Sequence, residues 1–540
     1  MAILLTKAGR VQLARSFHRD IQNAYIDGDE MLWGDFVHFA LGRTTAWDDE
    51  EAPETPLDSE KYIKEFRNNI IFSQAVSSAD ICHLARRVDW ESGTVYDSYD
   101  DAYSANMPAY SGATNLADAN FYVITDESKV YKCIDNNSDA ASTVKPTSTS
   151  TNTFTLSDDY TWKFLFQVSS SDETKFLDAE HIPVRKLTGN PLHDVNGEID
   201  SITVTSGGSG YTSAPTVTIN GDGQSASATA VLTGDEVTSI TIDEPGSGYS
   251  FAFITFSGGD GTGAEADVSL GDADSLPLLQ SAVEAAAIAG TIDRIIVESS
   301  GQDYSEGDVI VTITGDGTGA EATVNITAGS GAISGVTVTD VGTGYTYANI
   351  TFTQTAGIGT GATARAVLSP IDGHGSNPIK ELFGSTIGIT TSLADNANKD
   401  LFLDNDFRQI GLIKNLYNYA ETSVWQQLTA TACFVINTNS SASYATDDII
   451  TTDDGGEFRV IQITEGASST YDIYLQSIIP LITASSTLTN TTQNITGLSI
   501  NSVTDPEIST STGDVVYIEN RPAISRSEDQ VETIKALVNF

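Results

Sequence analysis

The stretch Arg294-Ile-Ile-Val-Glu298, Gly301-Gln-Asp-Tyr304, Asp308-Val-Ile-Val-Thr312, Gly315-Asp-Gly-Thr-Gly-Ala320, Ala322-Thr-Val-Asn-Ile326 sets the reading of the whole chain. Three short runs rich in β-branched residues are separated by glycine-bearing turns, the pattern of consecutive strands. The same order occurs three more times. Opening strands are Ser201-Ile-Thr-Val-Thr205, Ser239-Ile-Thr-Ile-Asp243 and Gly335-Val-Thr-Val-Thr339. The turns after them are Gly208-Ser-Gly-Tyr211, Gly246-Ser-Gly-Tyr249 and Gly342-Thr-Gly-Tyr345. The glycine clusters recur as Gly221-Asp-Gly-Gln-Ser-Ala226, Gly259-Asp-Gly-Thr-Gly-Ala264 and Gly357-Ile-Gly-Thr-Gly-Ala362. Four copies at a spacing of roughly 40 residues mark a repeat array.

Apolar residues alternate with Thr and Ser along each strand, so each strand buries one face. One such unit is too small to be stable alone, and neighbours must share a core. The gap between the second and third copies holds Ser275 to Gly290, whose Leu and Ala content predicts a short helix. Residues 191–369 therefore read as an all-β region of four repeats, in two pairs split near 271–290. Between Glu198 and Ser369 there are 21 acidic and 2 basic residues, which reads as a solvated, aggregation-resistant surface.

The flanks, 1–190 and 370–540, are mixed in character. Val11, Ala14, Phe17, Ile21 and Tyr25 recur at helical spacing and predict an amphipathic helix ending near Gly28. Phe36–Leu41, Phe121–Thr125, Lys129–Cys133 and Tyr160–Val168 read as strands, with the Ser/Thr-rich run Ala141–Thr153 as an exposed loop. Beyond the repeats, Thr431–Ile436, Phe458–Thr464, Tyr471–Leu475 and Asp514–Ile518 alternate like strands. Ser527, followed by acidic residues in the first turn, predicts a terminal helix through Val538.

The chain has 540 residues, Lys+Arg 27 against Asp+Glu 73, and a formal charge of −46. That balance disfavours nucleic-acid binding, which needs a basic surface to displace counterions, and adhesion to anionic membranes. Cys82, Cys133 and Cys433 are far apart and form no CxxC pair, so neither a disulfide framework nor a zinc site is expected, as in a reducing compartment. The apolar run after Met1 is too short for a signal peptide, and no uncharged apolar stretch of about 18 residues predicts a membrane span.

The search for chemistry yields no catalytic, cofactor-binding or metal-ligating residues. His18, His38, His83, His181, His193 and His374 have no metal-ligand spacing. His38 reads as a packed histidine. Cys82 and His83 are sequence neighbours on a strand and point to opposite faces. The glycine clusters lack the Gly-Lys-Ser/Thr of a phosphate loop. Gly258-Gly-Asp-Gly-Thr-Gly263 has the composition but not the order of calcium-binding nonapeptides, so glycine's freedom in tight turns is the simpler account. No G-x-S-x-G appears with partners, and the chain reads as not an enzyme.

The flanks resemble a baseplate wedge subunit of T-even-type contractile-tailed bacteriophages, the gene-eight product family. The resemblance rests on six stretches in order. They are Phe39-Ala-Leu-Gly-Arg-Thr-Thr-Ala-Trp47 with Pro53 and Pro56, then Arg87–Asp100, then Asp158-Asp-Tyr-Thr-Trp-Lys-Phe-Leu-Phe166. Gly373-His-Gly-Ser-Asn-Pro-Ile-Lys-Glu-Leu382, Asn405–Lys414 and Gly513–Gln530 follow. Asp159 stands where the family pattern has glycine. The resemblance covers about two thirds of the chain, and the repeats look like an insertion between Leu187 and Ile371.

The resemblance implies a mainly β fold: a β-sandwich-like core with a few short helices, carrying an inserted all-β repeat region. It implies a homodimer that joins other baseplate wedge proteins, in the virion tail after assembly in the host cytoplasm, and takes part in the switch that triggers sheath contraction. It implies no catalytic residues. Trp162 and Phe164 read as core, Asp406 and Arg408 as a loop-fixing ion pair, and Arg521 and Arg526 as interface residues or partners of local carboxylates. A second reading is a tail adhesin whose repeats bind host-surface glycan, with Tyr211, Tyr249, Tyr304 and Tyr345 exposed for stacking on sugars. A glycan-cleaving tail enzyme is a third.

Overall fold

The computed structural model describes residues 5–21, 25–27, 30–32, 36–76, 80–187, 198–221, 224–247, 252–271, 275–305, 307–393, 406–425, 429–466, 469–524 and 532–540. The protein is mainly β, with many antiparallel sheets.

Strands from the two ends of the chain share the same sheets. One five-stranded sheet runs in the order Thr429–Thr431, Ile70–Ala75, Val37–Gly42, Phe407–Lys414, Asp514–Ile524. A four-stranded sheet runs His181–Val184, Ile81–Arg86, Thr386–Leu393, Glu532–Asn539. Their inner faces share one core, in which Phe39, Leu41, Ile410 and Leu412 of the first meet Ile81, Ile387, Ile389 and Ile534 of the second. Two sheets burying alternate residues against each other is a sandwich.

An aromatic core with Tyr96, Tyr131, Trp162 and Phe164 backs a smaller sheet of Tyr122–Ile124, Lys129–Asp135, Thr161–Gln167 and Phe154–Thr155. Asp159, at the position of the family's glycine, has φ +60°, a left-handed conformation that Asp tolerates better than most side chains. Residues 434–504 build a seven-stranded sheet with its own core around Phe434, Ile436, Phe458 and Leu475.

The repeats form two barrels: the second is one six-stranded sheet, and the first is a two-stranded and a four-stranded sheet packed together. In the second, the sheet order is Val309–Gly315, Ala348–Gln354, Thr360–Leu368, Ile292–Gln302, Ala332–Thr343, Thr318–Thr327, and the end strands lie side by side. The first strand of each repeat pairs with the third strand of the other, and the two middle strands pair with each other. Residues 198–271 have the same arrangement. The helix Ser275–Ala285 lies between the barrels in sequence.

Three expectations need correction. The C-terminal segment is a strand, not a helix: Glu532–Asn539 pairs along its length with Thr386–Leu393. Ile534 and Ala536 alternate into the sandwich core, and that pairing overrides the helical propensity of Lys-Ala-Leu; Ser527 lies outside the described residues. The first helix spans Lys7–Ile21, and Tyr25 belongs to a short strand paired with Glu30–Leu32. The Gly28-Asp29 dipeptide between them is a hairpin signature that outweighs one more apolar position. Thr431–Ile436 is divided between two sheets, with buried Cys433 at the corner.

Candidate functional site

The most densely engineered place is a buried junction where the two flanks and the second barrel meet. Asn377 caps the short helix Pro378–Glu381, its Oδ1 accepting the Lys380 N–H at 3.1 Å. That turn points Glu381 inward, where it accepts N–H bonds from Gly375 at 2.9 Å and Asn377 at 3.2 Å. Lys132, in the strand Lys129–Asp135, donates to Glu381 Oε2 at 2.7 Å. The two side chains are 0% and 3% exposed. The Lys132 ammonium also lies 4.3 Å from the Tyr99 ring centre. A buried charge pair is tolerated only when its remaining hydrogen-bonding capacity is met, and the backbone amides meet it here.

Beside this pair, His374 Nε2 meets Asp293 Oδ2 at 2.6 Å, and the imidazole stands edge-on to Tyr99 at 4.9 Å. Asp293 opens the second barrel. Arg365 of that barrel makes a two-pronged contact with Asp100, and Arg294 donates to Ser98 Oγ at 2.9 Å and Tyr99 O at 2.8 Å. Both basic residues of the repeat region are thus spent on docking one barrel. Val367 and Ile296 add apolar contact with the core around Phe121. The inter-barrel helix is tied down too: Glu284 accepts the Leu187 N–H at 3.0 Å, and Val283 is buried among Tyr131 and Trp162.

Burial pushes the Lys132 ammonium below the usual lysine value, against the pull of Glu381. For Glu381 burial acts upward, but Lys132, His374 and the Gly375 amide hold it below the ordinary carboxylate range. Burial, then the nearby Lys132, lowers His374. Lys163, directly opposite Lys132 in register, is lowered by burial. The arrangement holds three chain segments together by charge.

The repeat tyrosines are packed, not exposed. Tyr211, Tyr304 and Tyr345 are 4%, 7% and 6% exposed; Tyr249 lies outside the described residues. Each ring covers a glycine of the paired repeat. A Cβ on Gly261 would lie 2.4 Å from the Tyr211 ring, one on Gly359 2.5 Å from Tyr304, and one on Gly317 2.3 Å from Tyr345. Each tyrosine N–H bonds to a carbonyl just before the first strand of its partner repeat: Tyr211 to Asp235, Tyr304 to Gly331, Tyr345 to Gly290. The aspartate of the glycine cluster then caps the residue after the tyrosine. Asp260 accepts from Thr212 Oγ1 at 2.9 Å, and Asp316 takes the Thr346 N–H at 2.8 Å and its hydroxyl. The tyrosine turn and the glycine cluster are two halves of one lock, exchanged in both directions in the second barrel and described in one direction, Tyr211 over Gly261, in the first. The Asp316 carboxylate is therefore committed to protein donors.

The remaining candidates are structural. Arg408 reaches Asp406 at 3.5 Å but binds Glu50 at 2.7 Å and Thr44 O at 2.7 Å. Arg521 pairs with Glu519 and donates to Lys535 O at 3.1 Å; Arg526 lies outside the described residues. His38 is fully buried. Among the described residues no group of three His, Cys, Asp or Glu is placed to hold a metal ion. No described helix is long and apolar enough to cross a membrane. A cavity of about 520 Å³ is lined by Lys7, Arg86, Arg87 and His181, but Lys7 pairs with Asp118, Arg87 with Asp89, and Arg86 with Asn120 and the Ala119 carbonyl.

Sequence reasoning missed the junction because its ion pairs join residues 81 to 265 positions apart. The signal available was the placement of the only two arginines in an acidic repeat region. No protein-family model matches the chain, and no curated protein matches it.

Proposed function

We propose that the chain is a structural subunit of a contractile phage tail baseplate wedge, with no enzymatic role. It acts as a homodimer that joins other wedge proteins in the virion and takes part in the switch that triggers contraction. One observation carries this reading: the six stretches that resemble the wedge family touch one another in two groups. In one, Val37–Gly42, Phe407–Lys414 and Asp514–Ile524 are adjacent strands, and Trp47 Nε1 donates to Arg521 O at 2.8 Å. In the other, Tyr96 packs edge-on to Trp162 at 6.0 Å, and Tyr99 packs on His374. Segments so distant in sequence that converge on shared cores form one framework, and that framework supports a load-bearing role better than a substrate-handling one.

The glycan-adhesin reading drew on Tyr211, Tyr249, Tyr304 and Tyr345 as exposed, and Tyr211, Tyr304 and Tyr345 are buried in the barrel locks. Light scattering of the purified chain tests the wedge reading. A mass near twice 57.3 kDa, unchanged on dilution, is expected. A stable trimer would overturn it in favour of a fibre or spike.

A further inference from the structure

His374 sits in surroundings whose balance favours its neutral form. The side chain is 7% exposed, Nε2 is taken by Asp293, and Nδ1 is buried with no hydrogen-bond partner among the described residues. The groups facing it come from every packed segment. Lys132 comes from the strand beneath, Glu381 from the short helix and Asp293 from the barrel, and the Tyr99 ring stands edge-on to the imidazole; Asp100 and Asp101 act on Tyr99, whose carbonyl holds Arg294. Adding a proton would create a buried N–H without an acceptor and a second cation beside Lys132. Asp293 and Glu381 favour that proton, but burial and Lys132 outweigh them. An uncompensated buried donor or charge is costly, and the cheapest relief is to open the contact to water. Gly373 and Gly375, at φ +90° and +85°, flank the histidine in left-handed conformations that glycine adopts without strain.

We propose that His374 is an acid-sensitive latch: its protonation releases the second barrel from the body at the Asp293 contact, while the barrel itself stays folded. The barrel's own cohesion comes from the tyrosine–glycine locks, which contain no histidine. The sign follows from linkage. The open state protonates near the ordinary histidine value of 6.5 and the closed state only lower, so the closed junction is favoured above that pH and loses ground below it.

Amide hydrogen exchange on the full chain, corrected for intrinsic rates, reads the opening directly. Between pH 7 and 5.5 the opening of segments 291–299 and 369–377 should rise, by up to about eightfold, the limit for one proton gained only in the open form with pKa 6.5. His374→Gln keeps a donor for Asp293 but cannot titrate, and its opening should stay constant over that range. The strand Phe407–Lys414, in the sandwich core, should show no change in either protein. A wild-type profile flat across the range overturns the proposal without any variant. So does an equal rise in His374→Gln, or a rise of the same size in Phe407–Lys414, which would mean global unfolding.

Discussion

Gly317→Ala is the sharpest test of the barrel lock. Its φ lies outside the left-handed region, so the effect of a methyl group there is steric. The added Cβ would stand 2.3 and 2.4 Å from the Tyr345 ring and 2.6 Å from the Tyr345 backbone N. Ordinary carbon contacts lie at about 3.5 Å, so the ring must retreat by more than about 1 Å. It cannot retreat freely, because Tyr345 is buried and its N–H is held by Gly290 O at 3.0 Å. Overpacking with a main-chain clash belongs at the upper end of its range, about 3 kcal/mol. That corresponds to an opening constant roughly 150-fold larger. Gly335→Ala is the control: its nearest neighbour would be Asn325 Nδ2 at 3.6 Å, an ordinary contact, and a change within about 0.5 kcal/mol is expected. Native-state proteolysis at low protease concentration follows the open population, so cleavage within 291–369 should accelerate for Gly317→Ala and stay near wild type for Gly335→Ala. Removing the ring as well should relieve part of the clash, making Gly317→Ala/Tyr345→Ala less damaging than the sum of its parts by about 1 kcal/mol or more. Equal cleavage rates for the two glycine variants, or full additivity, would refute the lock.

Lys132→Met should cost about 3–5 kcal/mol, since Glu381 is left charged and buried. Adding Glu381→Gln should recover part of that loss in denaturant melts, because the amide oxygen still accepts from Gly375 and Asn377. The Asp316 carboxylate, held to about 2 by the Thr346 hydroxyl and the Thr346 and Tyr347 amides, lies below its ordinary 3.8. Its cap is therefore complete above 3.8 and lost as the pH falls towards 2, so exchange at Thr346 and Tyr347 should quicken across that window, and Asp316→Asn should abolish the dependence. All three cysteines are buried, with the Cys82 thiol pushed up to about 12 and Cys133 and Cys433 also raised. Ellman's reagent at pH 8 should label no thiol in the native chain and three in guanidinium; a fast native thiol would contradict the burial of all three.

Local pattern was enough wherever a segment's partner was close in sequence. Alternation of Val, Ile and Thr announced the repeat strands, and Leu/Ala content announced the helix Ser275–Ala285. Tyr131, Trp162 and Phe164 are core for the reason their strands suggest, since large aromatics alternate with polar residues. It failed where a distant strand chose the conformation. Glu532–Asn539 has helix-forming residues, yet Thr386–Leu393 offers it a full ladder and a place in the core for Ile534 and Ala536. The tyrosines illustrate the same limit more finely. Their recurrence after glycine was plain, but whether they faced solvent depended on glycines of the paired repeat, tens of residues away.

The sequence by itself determined the mainly β character, the four-fold repeat and the acidic surface, because periodicity, turn chemistry and charge are properties of neighbours along the chain. Only the tertiary structure decided which repeats lock together, that Arg294 and Arg365 dock one barrel at Ser98–Asp100, and that Lys132, Asp293, His374 and Glu381 share one buried site. Those contacts close loops of up to 265 residues, and in a linear chain nothing but the shared core singles out one such pairing from the many that charge alone would allow.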